Sequence, residues 1–226
     1  MPTDFTNPSD VLALYRKRAA HYDVTANLYY LIGFREQHYR RLAVNRLALA
    51  PGDTVVEIGC GTGLNFALIE EKIGPRGRII GVDLTDAMLA KARERVTANN
   101  WTNVALVESA AADYRFPSGI DGILSTFALT LEPEYDRVIA GGTKMLNPGR
   151  RWVVLDFRVP EGTLKYLAPF LVPLVRPFGA TLEVARRRPW ESVARYLTDV
   201  SYEDLYFGFA YIAAGAARAA ISRDRP

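Results

Sequence analysis

The 226-residue sequence has one cysteine, Cys60, and two histidines, His21 and His38. A lone cysteine excludes an internal disulfide framework and any cysteine-only metal cluster, so no metal site is expected. It suits a reducing cytosol. No apolar run reaches the ~18 residues that a membrane-spanning helix requires. A charged start followed by an apolar core, the mark of a secretory signal, is also lacking. The expectation is a cytoplasmic chain, with peripheral membrane association as the open alternative. Internal repeats and low-complexity segments are lacking too.

What is present is apolar content, at 49% of residues. At this length it suffices for one sizeable α/β core, or a core with a small cap. The net charge of +3 conceals an asymmetry. Residues 51–140 hold 8 Lys/Arg against 13 Asp/Glu, a net of −5, so the flanks carry +8. Basic ends around an acidic middle point to an anionic contact. A solvated charged surface reads equally well.

The spacing of elements divides the chain into an N-terminal helical cap, 1–50, and a main domain, 51–226. In the cap, helices are expected after Asp10 and from about Arg35 to Leu49, with an aromatic stretch from His21 to Phe34 between them. From Thr54 the texture changes to short β-rich runs: 54–58, 78–82, 104–107, 122–126 and 152–157. Helical patterns lie between them, at about 64–73, 86–98 and 135–146, the last stopped by Asn147-Pro148-Gly149. Strands alternating with helices predict a parallel sheet covered on both faces. An insert at about 159–190 breaks the rhythm. Its apolar part carries Pro169, Pro173 and Pro177, which oppose a continuous helix, and it ends in Arg186-Arg187-Arg188. A helix is expected over 191–197. Tyr202 to Ala214 fits one helix or two strands reversing near Gly208, and its aromatic and β-branched content favours the strands.

The chemistry concentrates in Glu57-Ile58-Gly59-Cys60-Gly61-Thr62-Gly63, between a strand and a helix. Glycines let the backbone turn sharply and admit a ligand closely, and the helix start offers unpaired N–H groups. A dinucleotide fingerprint reads G-x-G-x-x-G; here the third glycine falls one position early. Asp83 ends the next strand, about 20 residues on, where a carboxylate can grip both ribose hydroxyls.

These residues resemble the class I, Rossmann-like methyltransferases that use S-adenosylmethionine. Val55 to Gly63 looks like motif I, Val82 to Leu89 like the second-strand motif, and Leu146 to Trp152 like the turn before strand five. The resemblance implies a seven-stranded, mostly parallel sheet with an antiparallel C-terminal strand and helices on both faces. It implies that the cofactor, S-adenosylmethionine, meets Glu57, Gly59, Cys60, Gly61, Thr62, Gly63, Asp83, Leu84 and Met88. It adds Tyr22 as a closing side chain, Asn65 for the methionine part, Ser125 for the ammonium, and Thr126. The family often has G-D-A after strand three; this chain has Ser109-Ala110-Ala111. Adenine recognition is therefore expected from backbone near Ala110, Ala111 and Ala112, or from Asp113, which could instead cap the next turn.

The Asn-Pro-Pro-aromatic motif of many amino-group methylases of DNA and protein is replaced by Ser125-Thr126-Phe127-Ala128-Leu129-Thr130, which disfavours nucleic acid. Methyl transfer is an in-line displacement needing mainly positioning, and a base where the acceptor must lose a proton. Small molecules and lipids remain. Arg16, Lys17, Arg18, Arg40 and Arg41 mix with Tyr29, Tyr30 and Phe34, and the apolar insert ends in arginines. Such a surface suits an enzyme seated on anionic lipid, or a cap over a hydrophobic pocket. Tyr22-Asp23-Val24-Thr25, Ala128-Leu129-Thr130-Leu131-Glu132-Pro133 and Leu155-Asp156-Phe157 are similar to bacterial lipid-headgroup N-methyltransferases and, in outline, to quinone C-methyltransferases. Lipid-headgroup N-methylation is one expectation; a quinone or other soluble apolar metabolite, or a non-enzymatic S-adenosylmethionine-binding module, are the alternatives. The catalytic candidates are Tyr22, His21, Tyr29, Tyr30 and Phe127. The sequence does not specify the oligomeric state.

Overall fold

The computed structural model describes residues 33–160, 162 and 184–219. The expected first helix, the stretch holding His21, Tyr22, Tyr29 and Tyr30, and the apolar body of the insert lie outside the described residues. In chain order the elements are α1 (Glu36–Arg46), β1 (Thr54–Ile58), α2 (Phe66–Ile73), β2 (Arg78–Asp83), α3 (Asp86–Ala98), β3 (Val104–Glu108), β4 (Ile120–Thr126), α4 (Tyr135–Thr143), β5 (Leu146–Phe157), α5 (Pro189–Tyr196), β6 (Thr198–Leu205) and β7 (Ala210–Ala216).

The seven strands form one sheet in the order β3-β2-β1-β4-β5-β7-β6. β1 to β5 pair in parallel; β7 is antiparallel to both β5 and β6. The expected sheet is therefore present, with β7 as its antiparallel member. Neighbours along a strand point to opposite faces, and the apolar runs use both. Val55, Ile79, Val153, Leu155 and Ile212 pack under α1, α2 and α3. Val56, Ile80, Trp152, Val154 and Tyr211 pack under α4 and α5. Strands buried on both faces read as continuous rather than alternating apolar runs, as Thr54–Ile58 and Trp152–Leu155 do. Trp152 is fully buried beneath α4 because Gly142 leaves room for it: a Cβ there would sit 2.1 Å from the indole.

Several expected boundaries shift. α4 stops at Thr143, and Asn147-Pro148-Gly149 lies inside β5 rather than between elements. There the register against β4 jumps, from Ile120↔Leu146 to Gly122↔Arg151. Proline lacks the N–H that a regular ladder requires, so the strand bulges past it, with Gly149 at φ 76°. α5 starts at Pro189, a residue suited to a helix's first turn. Tyr202–Ala214 is strand in both halves, but β6 begins at Thr198 and the reversal occupies Tyr206–Gly208. No described helix is long and apolar enough to cross a membrane.

Candidate functional site

The parallel strands end together on one edge of the sheet. The chain crosses to the other side of β1 between β3 and β4, and open α/β sheets bind ligands at such a reversal. A cavity of about 240 Å³ opens there. From β3 towards β4, its lining runs from Ser109–Asp113, past Asp83 and Met88, over Gly59–Thr62, to Thr126 and Phe127. Arg40 of α1 closes that end, and Phe127 to Glu134 form the opposing wall.

Gly59, Gly61 and Gly63 have φ of 69°, 55° and 77°, a region that L side chains rarely enter. Gly59 also has a packing reason: a Cβ there would meet the Ala128 Cβ at 2.2 Å. The glycine loop thus touches the opposing wall with bare backbone. Asp83 braces the loop: one carboxylate oxygen accepts Gly61 N–H at 2.8 Å and the other Thr85 N–H at 2.9 Å. An ionised carboxylate has about four lone-pair positions. Gly61 N–H, Thr85 N–H and the Thr85 side chain take part of that capacity, and Asp83 lines the cavity with the rest. Burial pushes the Asp83 pKa up, opposed by those N–H bonds.

A buried polar cluster lies at the β4 end. The Arg40 guanidinium binds Glu36 Oε1 at 2.7 Å, Thr126 Oγ1 at 2.6 Å and Asn65 Oδ1 at 3.3 Å. It also lies over the Phe127 ring, 5.2 Å from the centroid. Asn65 Nδ2 donates to Glu57 Oε1 at 2.5 Å and to Thr126 Oγ1 at 2.8 Å. Glu57 is fully buried and its Oε2 has no hydrogen-bond partner. Burial pushes its pKa up to about 7, against the pull of Asn65 and Arg40.

The structure brings together on the cavity Gly59, Cys60, Gly61, Thr62, Asp83, Leu84, Met88, Ala110, Ala111, Ala112, Thr126 and Phe127. Glu57, Gly63, Asn65 and Ser125 lie behind the lining, among the sheet and the start of α2. Asn65 precedes α2 rather than sitting in its first turn. Cys60 is buried, its thiol pKa well above the ordinary value through desolvation. Asp113 does not cap a turn; its side chain is exposed, 3.7 Å from Arg137. Phe127 holds a left-handed φ of 57°, which a non-glycine residue keeps only when its surroundings demand it. Its ring packs on Phe157 at 4.7 Å and Phe34 at 5.9 Å.

Arg40 is the residue that sequence reasoning misplaced. Grouped with a basic surface, it is 6% exposed and faces the cavity; Phe34 from the same group is 3% exposed. One signal was available: Glu36 stands four residues before it on the same helix face. Among the described residues, no group of three His, Cys, Asp or Glu could hold a metal ion.

Residues 55–149 match a family described as a methyltransferase domain. The chain is similar to a demethylmenaquinone methyltransferase of Symbiobacterium thermophilum, 29% identical over 203 residues, covering 86% of this chain and 80% of that one. It is 35% identical over 114 residues to an arsenite methyltransferase of Halobacterium salinarum, which covers 48% of this chain but little more than a quarter, 28%, of that protein. In fold it is similar to geranyl diphosphate C-methyltransferase from Streptomyces coelicolor A3(2), solved with S-adenosyl-L-homocysteine: TM-score 0.66, 16% identity, covering 80% of this chain and 79% of the other.

Proposed function

We infer that this chain, which belongs to the class I S-adenosylmethionine-dependent methyltransferases, passes the methyl group to a small apolar acceptor, with a quinol-type ring favoured. The observation that carries the acceptor class is the aromatic end of the cavity. Phe127, held in a strained conformation against Phe157 and Phe34 with the Arg40 guanidinium over its ring, lines the cavity beside Thr126. An apolar ring packs against such an aromatic lining. The quinone class is also the one named for a relative matched over four-fifths of its length.

The residues present fit the cofactor. Asp83 lines the cavity and is the acceptor for the ribose hydroxyls, beyond its bonds from Gly61 and Thr85, and the glycine loop leaves space beside it. The β3 end, with Met88 and the Ala110–Ala112 backbone, is the apolar slot for the adenine. At the β4 end Arg40 is the cation that meets the methionine carboxylate, and Glu57, ionised above about pH 7, supplies negative charge behind the ammonium there. The cofactor supplies an activated methyl group on a sulfonium. The protein's part is positioning: Asp83 fixes one end, Arg40 the other, and Phe127 borders the acceptor. Near-attack placement of this kind supplies much of the acceleration of a displacement.

A lipid-headgroup amine is the second reading. The exposed Arg41, Arg186 and Arg188 are the part of the basic surface that supports contact with anionic lipid. One experiment separates the readings. The chain is incubated with methyl-labelled S-adenosylmethionine and, in parallel, a demethylated quinol or vesicles of phosphatidylethanolamine with anionic lipid. Label is expected in the quinol. Label in the phospholipid alone reverses the assignment, and label in neither refutes the small apolar acceptor. Asp83→Ala is expected to weaken S-adenosylmethionine binding about 100-fold by calorimetry, the worth of two hydrogen bonds to a charged acceptor.

A further inference from the structure

The wall from Phe127 to Glu134 contributes no regular helix or strand, only a single 3-10 turn over Leu129–Leu131. Such a segment holds its shape only if its polar groups are tied down. Part of this is internal: the carbonyls of Ala128, Leu129 and Glu132 accept from Leu131, Glu132 and Tyr135 N–H. From beneath, the buried Asp156 carboxylate at the end of β5 accepts Thr130 N–H and Phe157 N–H, each at 2.8 Å. From outside, the Arg187 guanidinium donates through Nη1 to two wall carbonyls, Thr130 O at 3.0 Å and Leu131 O at 2.8 Å.

Arg187 is itself fixed. It stands two residues before α5, and α5 is tied to α4 through Asp136. That carboxylate accepts Ser192 Oγ at 2.6 Å, Tyr196 OH at 2.7 Å and Arg195 Nη1 at 3.1 Å. α4 in turn continues directly from the wall. The contacts close a ring: wall, α4, Asp136, α5, Arg187 and back to the wall. Its two neighbours do otherwise. Arg186 and Arg188 are exposed, and Arg188 pairs with Glu191 on its own helix.

We propose that Arg187 is a positioning residue, which sets the cavity wall from Phe127 to Glu134 for cofactor and acceptor through the Thr130 and Leu131 carbonyls. It touches neither ligand. The proposal rests on reading the cavity as the S-adenosylmethionine site. Removing the guanidinium leaves two wall carbonyls without their donor and frees the turn to move away from Gly59.

The test uses the full chain, with calorimetric binding of S-adenosylhomocysteine and amide hydrogen exchange. Arg187→Ala is expected to weaken binding about tenfold and to speed exchange at Leu131 and Glu132, with β1 and β4 unchanged. Arg187→Lys, which keeps a cation with several N–H donors, recovers part of the affinity. Arg188→Ala matches the unsubstituted chain. The proposal is overturned if Arg187→Ala binds as well as the unsubstituted chain. It is equally overturned if neither Arg187 variant binds and exchange rises across the whole sheet, which marks a general folding role. If the unsubstituted chain fails to bind, the cofactor reading falls first and this inference with it.

Discussion

Glu57→Gln makes the buried polar cluster measurable. Glu57 is fully buried; its Oε1 accepts from Asn65 and its Oε2 has no partner. Desolvation raises its pKa from 4.5 to about 7. Above its ordinary value the unfolded chain releases this proton while the folded chain holds it. The folded state therefore loses stability as pH rises from about 4.5 to 7, and the loss levels off above. One pKa unit corresponds to about 1.4 kcal/mol, so the full penalty is about 3 kcal/mol at pH 8 and about 1 kcal/mol at pH 5. Gln keeps the acceptor for Asn65 and never ionises, so this pH dependence disappears. Its NH2 replaces Oε2, and an unsatisfied buried donor costs about 1–3 kcal/mol, so the net gain at pH 8 is small. The readout is the slope. Urea denaturation at pH 5, 6, 7 and 8 is expected to show the parent losing about 2 kcal/mol more than the variant between the extremes. Parallel curves would refute the claim that Glu57 is forced to hold its proton. At pH 8, where Glu57 of the parent is ionised, binding of S-adenosylmethionine should weaken in the variant, since the negative charge behind the ammonium is gone.

Two further substitutions test the same site from its other sides. Gly59→Ala places a methyl 2.2 Å from the Ala128 Cβ, which is rigid with its backbone, at a φ of 69°. A loss of at least about 2 kcal/mol in stability is expected, with no calorimetric binding of the cofactor; parent-like affinity would contradict the described contact. Arg40→Met removes the cation between Glu36, Glu57 and Thr126, leaving buried carboxylate charge uncompensated. A stability loss of about 3 kcal/mol at pH 8 is expected by urea denaturation. Because Arg40 holds the Glu57 pKa down, the pH at which stability levels off should also move upward.

The order of strands and helices was legible in the sequence because each element announces itself locally. Thr54–Ile58 and Arg78–Val82 are short β-branched runs closed by glycine or aspartate, and Asp86–Ala98 keeps its buried residues at helical spacing. The glycine loop and Asp83 were legible for the same reason: positive φ and a strand-end carboxylate are properties of single residues at fixed intervals. Legibility failed where a residue's role depends on chain far away. Arg40 looks like surface charge in a basic helix; only packing of α1 against β4 and α2 brings it to Thr126, 86 residues on, and to Asn65. Phe127 reads from the sequence as a catalytic candidate, but its left-handed backbone and its packing come from Phe34, before α1, and Phe157, at the end of β5. Arg187 read as one of three equivalent arginines, yet α5 turns it onto a carbonyl pair 56 and 57 residues earlier while its neighbours face solvent. The sequence by itself determined the sheet, the glycine loop and the strand-end carboxylate Asp83, since these follow from backbone preference and periodicity. The tertiary structure alone decided which charges are buried and what they hold, because burial is a property of the packed whole.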